Sequence, residues 1–131
     1  MNKLASLCCT LLLSASVAVP MLAHASVEGD MKAMSKALRA ASSASDAAGM
    51  KAGLADLKNA TLKAKTEVPG GLNDQAADSP ARKTYTEGLD NVIKQVDDAN
   101  ALIDAGKLDE AKAAIKEINT TRKTYHKKLG V

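Results

Sequence analysis

Met31 and His126 are the residues of this 131-residue chain whose types are best suited to act as a pair. A thioether sulfur and a neutral imidazole are the two side chains that together ligate a low-spin haem iron, sulfur favouring the reduced state and imidazole binding either. Each also has a plainer reading. A methionine on an apolar helical stripe fills core space, and a histidine in the last turn of a helix suits the negative end of the helix dipole. No nucleophile with an adjacent base and no pair of catalytic carboxylates stands out. The Asp and Glu residues read as solvated helix faces, so an enzyme is not expected.

Whether the two donors can meet depends on the elements that carry them. Four segments show helical spacing between clear stop signals. The first, over residues 27–43, has Met31, Met34, Leu38 and Ala41 on one stripe, and Ser45 and Asp46 then offer a cap. The second, over 47–66, turns Met50, Leu54, Leu57, Thr61 and Ala64 inward, with Gly49 and Gly53 each weakening it by up to about 1 kcal/mol relative to Ala. Residues 68–75 have no period and contain Pro69, Gly70 and Gly71, which reads as a long loop between two hairpins. Asp78, Ser79 and Pro80 open a third helix, because proline at the first turn loses no hydrogen bond there. This helix carries Tyr85, Leu89, Val92, Val96, Ala99 and Ile103 inward and stops at Ala105, Gly106 and Lys107. The fourth, over 108–129, carries Leu108, Ala111, Ile115, Ile118, Arg122, Tyr125 and Leu129.

Nothing alternates as a half-buried strand would. Four singly striped helices with mostly short loops predict an all-α, antiparallel, up-down-up-down four-helix bundle. In that arrangement the start of the first helix and the end of the fourth share one end, so Met31 and His126 can face each other across it. Tyr85 and Leu89, and residues 61–68 at the end of the second helix, reach the same end and are expected to wall a pocket.

Met1, Asn2 and Lys3 precede an apolar run from Leu4 to Leu22, which closes on Ala23, His24 and Ala25. One charge, an apolar core and a small-x-small exit describe a secretory leader over residues 1–25, with Ser26 first in the mature chain. Cys8 and Cys9 lie inside that leader, and most of its apolar core follows them, so lipidation is not expected. Residues 26–131 hold no cysteine and therefore no disulfide or thioether link. They make one small domain, with Tyr85 and Tyr125 its only aromatic residues. The formal charge of +3 falls to +2 once Lys3 is removed. That is too weak and too dispersed for nucleic acid, and no aromatic platforms accompany it. After leader removal no stable membrane association is expected.

Several local patterns recur along the whole mature length of a known family. They are Met31 near the mature start, Ser45-Asp46-Ala47-Ala48 between the first two helices, and Asp78-Ser79-Pro80. Gly88, Gln95-Val96-Asp97-Asp98-Ala99, Gly106-Lys107 and Glu110-Ala111 follow, and then the closing Thr120-Thr121-Arg122-Lys123-Thr124-Tyr125-His126. In these the chain resembles the soluble cytochrome b562 family. Without a gap between them, the family's two axial-ligand positions fall on Met31 and His126. Covalent attachment would need cysteines where Arg122 and Tyr125 stand, so the resemblance implies non-covalent haem b. It further implies a pocket formed with Met34, Tyr85, Leu89 and Tyr125, and Arg122 is a candidate neighbour of a propionate. Tyr85 and Leu89 stand where the family has two phenylalanines, and Pro69-Gly70 where it has a double proline. Both departures imply a looser hold on haem.

The function so implied is one-electron transport in the periplasm by a monomer that meets transient redox partners. Two rivals are a haem-free periplasmic helical protein with a binding or chaperone-like role, and a haem-storage or sensing protein in which haem is cargo.

Overall fold

The computed structural model describes residues 26–131, so the leader assigned to residues 1–25 lies outside the described residues. The chain folds into α1 (Val27–Ser43), α2 (Ala47–Lys65), α3 (Pro80–Asp104) and α4 (Leu108–Leu129), with one 3-10 turn at Gly70–Leu72 in the long connection. No strand occurs among the described residues. Side chains cap three helix starts. Ser26 accepts from the Gly29 amide, Asp46 from that of Gly49 at 2.7 Å, and Ser79 from that of Arg82, with Pro80 in the first turn. Each satisfies a backbone N–H that has no partner within its helix. Gly106 ends α3 in the left-handed region at φ 75°, and the amides of Gly106 and Lys107 donate to the Ile103 and Leu102 carbonyls.

The stripes expected of α2 and α3 are buried along their whole length. Met50, Leu54, Leu57, Thr61, Val96, Ile115 and Ile118 are almost wholly enclosed and form an aliphatic middle to the bundle. Consecutive helices pack along their lengths, α1 on α2, α2 on α3 and α3 on α4, while α1 meets α4 only lightly. This is the antiparallel up-down-up-down order.

Two features set how the helices approach. Gly53 of α2 lies so close to α1 that a Cβ there would stand 2.5 Å from the Ala41 amide nitrogen. Its cost to helix propensity is thus tied to a close backbone contact. Along the α2–α3 seam, Lys51 pairs with Asp104, Lys58 with Asp97 at 2.6 Å, and Lys65 with Asp90. The lysines rise in steps of seven while the aspartates fall in steps of seven, which only antiparallel helices in this register allow. Exposed pairs contribute about 0–1 kcal/mol each, so the ladder selects register more than it adds stability.

Gly53→Ala should destabilise the fold by about 1–3 kcal/mol through overpacking against α1, although alanine is the better helix former. Urea denaturation checks this, with Gly71→Ala, where the added Cβ meets open space, expected to leave the midpoint nearly unchanged.

Candidate functional site

Burial falls off toward the end of the bundle where α1 starts and α4 finishes. Met31, Arg122, Tyr125, His126 and Leu129 are all only partly buried. An apolar cleft lies between α1, α3 and α4 there. Met31, Met34 and Ser35 line it from α1, Tyr85, Gly88, Leu89 and Val92 from α3, and Thr121, Arg122, Tyr125, His126 and Leu129 from α4. Met31, Met34, Tyr85, Leu89, Arg122, Tyr125 and His126, the residues singled out from the sequence, thus come together on one cavity. The helical period explains it for α4, since 122, 125, 126 and 129 share one face.

The second helix does not take the place expected of it. Residues 61–68 do not line the cleft. Tyr85 stands between, packed in the core with its hydroxyl donating to the Ala64 carbonyl at 2.7 Å. Thr61 turns its hydroxyl back to the Leu57 carbonyl at 2.7 Å. The wall on that side is therefore the Tyr85 ring, and α2 supports it from behind.

Sequence reasoning missed the residues that fasten Tyr125. Its hydroxyl donates to the Glu87 carboxylate at 3.0 Å and accepts from the Asn91 amide at 2.6 Å. The ring lies across Gly88, where a Cβ would come within 2.8 Å of it, and the Lys128 ammonium sits 4.6 Å from the ring centre. Glu87 and Asn91 are four apart on α3, hence on one face, but sequence alone did not say which helix they would meet. These contacts tie the last turns of α4 to α3, beside His126. On the α1 side, Arg122 donates to the Ser35 hydroxyl at 3.1 Å.

Burial and neighbouring charge act on the two tyrosines of the cleft. Burial, followed by the nearby Asp30 and Glu67 carboxylates, pushes the Tyr85 phenol up to about 12. Tyr125 is also raised, first by burial and then by the Glu87 hydrogen bond and charge, with Asn91 acting in the opposite sense. Asp30, next to Met31 in sequence, is buried and leaves Oδ2 without a hydrogen-bond partner among the described residues.

A thioether from α1 and an imidazole from α4, on an apolar cleft without cysteine, suit a planar apolar group held by two axial donors. The free volume is only about 60 Å³, well below the roughly 300–1,000 Å³ of pockets that enclose small-molecule ligands. The donors and the apolar lining fit such a group in kind.

Fold and site together define a helical bundle protein with a two-donor apolar cleft at one end. A cytochrome b562 family model matches residues 26–129. The probable soluble cytochrome b562 2 of Yersinia pestis is 38% identical over 104 residues, covering 79% of this chain and 81% of that protein. The probable soluble cytochrome b562 1 of the same organism is 33% identical over 102 residues, covering 78% and 80%. The chain belongs to the cytochrome b562 family.

Tyr85→Phe should cost about 0.5–1.5 kcal/mol at neutral pH through the lost hydrogen bond. The raised phenol pKa adds a pH signature. Its contribution is complete below the unfolded value near 10 and is lost as pH rises toward about 12. Denaturation at stepped alkaline pH should therefore show a shallower decline in the variant than in the parent. Parallel declines would count against this environment for Tyr85.

Proposed function

We propose that this protein binds one haem b non-covalently, with Met31 and His126 as axial ligands, and carries single electrons in the periplasm. The observation that carries the reading is the meeting of these two donors on one apolar cleft, in a chain of the cytochrome b562 family. Haem bound there would supply a one-electron couple between ferric and ferrous iron. The chain's own part is to hold a sulfur and a nitrogen on two different helices. Tyr125, fastened to Glu87 and Asn91, keeps the last turns of α4 against α3, while the α1 cap at Ser26 sets the start of the helix that carries Met31. Met34, Leu89 and Val92 keep water from the cleft, and Arg122 at its rim offers a cation to a propionate. With both axial positions taken by protein side chains, we assign an electron carrier rather than an enzyme.

Periplasmic residence rests on the leader pattern of residues 1–25, and the family match begins at residue 26, where cleavage would leave the mature chain. Among the described residues no helix is long and apolar enough to cross a membrane. A monomer with transient redox partners fits this role.

Haem titration of the purified mature chain tests the reading. One equivalent should bind and give sharp low-spin bands on reduction, with all of the haem extractable into acidic organic solvent. Met31→Ala should leave a five-coordinate or weakly ligated haem with a lower reduction potential, and His126→Ala should largely abolish specific binding. Either variant keeping the parent's reduced spectrum would sink the axial assignment.

A further inference from the structure

We propose that the α1–α4 face is the docking surface for an acidic redox protein, an inference that rests on the haem reading of the adjoining cleft. Lys112, Lys116, Lys123 and Lys127 recur along one flank of α4 at helical spacing, with Arg122 beside them. Lys32, Lys36 and Arg39 do the same on α1. Between the helices runs a groove of about 390 Å³ lined by Arg39, Lys116 and Arg122 with Ser35, Ser42 and Asn119, and no carboxylate faces it. A neighbouring hollow of about 400 Å³ is lined by Lys32, Lys36 and Arg39, and its only acid, Glu28, is paired with Lys32 at 2.7 Å.

The contrast with the α2–α3 seam is what makes this face distinctive. There, three cross-helix Lys–Asp pairs neutralise the charge. Of the cations lining the two hollows, Lys36, Arg39, Lys116 and Arg122 form no ion pair among the described residues, nor do Lys112, Lys123 and Lys127 on the flank of α4. Ser35 lines both hollows and the Met31–His126 cleft, so the cations flank the cleft on its α1–α4 side. From Lys112 to Lys127 the stripe runs about 22 Å at the rise of an α-helix. That spread matches the footprint of a protein better than that of a small anion. A cationic surface around the exchange site steers an acidic partner and raises its encounter rate about 10–10³-fold at low salt. One electron then passes between the partner's metal centre and the haem iron, with no bond made or broken.

The test uses a plant-type [2Fe–2S] ferredoxin as acidic probe and a basic c-type cytochrome as the opposite control. Holo-protein carrying Lys36→Glu, Arg39→Glu and Lys116→Glu is compared with a triple variant of equal charge change elsewhere, Lys63→Glu, Lys83→Glu and Lys94→Glu. Reduction by ferredoxin, followed by stopped flow, should slow at least tenfold in the first triple and less than threefold in the second, and its salt dependence should flatten. The single variant Lys116→Glu, slowing by a smaller factor in the same direction, covers the case in which the triple fails to fold. Equal slowing in both triples, or a basic probe reacting faster than the acidic one, overturns the proposal. Nitrogen-15 NMR mapping of ferredoxin on the apo-protein reads docking without haem. Shifts centred on α1 and α4 support the surface and shifts centred on α2 and α3 overturn it, whereas a missing reduced spectrum indicts the haem reading alone.

Discussion

Close packing of an aliphatic middle governs how every other part of this bundle is placed. With no Phe or Trp in the chain, Leu, Ile, Val, Met and Ala must fill the space between four helices. They do so through the centre, where Met50, Leu54, Leu57, Val96, Ile115 and Ile118 leave almost no surface to water. Such an interior tolerates little change of volume. It fixes the rotation of each helix and so decides which residues of α1 and α4 turn toward one another beyond it. The backbone contact at Gly53 and the seven-step Lys–Asp ladder lock α2 against its neighbours on either side. Across the α1–α4 seam Arg122 donates to the Ser35 hydroxyl, and among the described residues no ion pair joins the two helices.

That asymmetry puts the site beside the most lightly packed seam between neighbouring helices. Met31 and His126 stand on α1 and α4, which of the neighbouring helices in the bundle share the least contact. Tyr125, seated on Gly88 and bonded to Glu87 and Asn91, holds α4 to α3. The same lightly closed seam gathers unpaired cations on its outer surface. Ligand chemistry and surface charge thus meet along a single line of the structure.

Much of this was legible in the residues. Ser79-Pro80 and Gly106 marked helix ends that the structure places where expected, and the apolar stripes gave the buried faces of all four helices. The convergence of Met31, Tyr85, Leu89 and His126 followed from the order of the helices. The misreading of residues 61–68 as pocket wall has a clear origin, since a stripe tells inside from outside but not which neighbour a side chain meets. The length of the Tyr85 side chain, reaching to the Ala64 carbonyl, settles that point. Glu87 was among the acids read as solvated helix faces, and its partner, like that of Asn91, emerges only once α3 and α4 are set in register. The Lys–Asp ladder was likewise present as spacing in two separate segments, readable only once their antiparallel alignment was known.

Met31 and His126 are proposed as the two axial ligands of one bound haem. Proton NMR of the reduced, diamagnetic holo-protein tests this ligation most directly. The Met31 ε-methyl and the His126 ring protons should be carried far upfield by the porphyrin ring current, with the other methionine methyls left near their ordinary positions. An upfield methyl assigned to Met34, or a bound haem with no shifted methionine methyl, would contradict it.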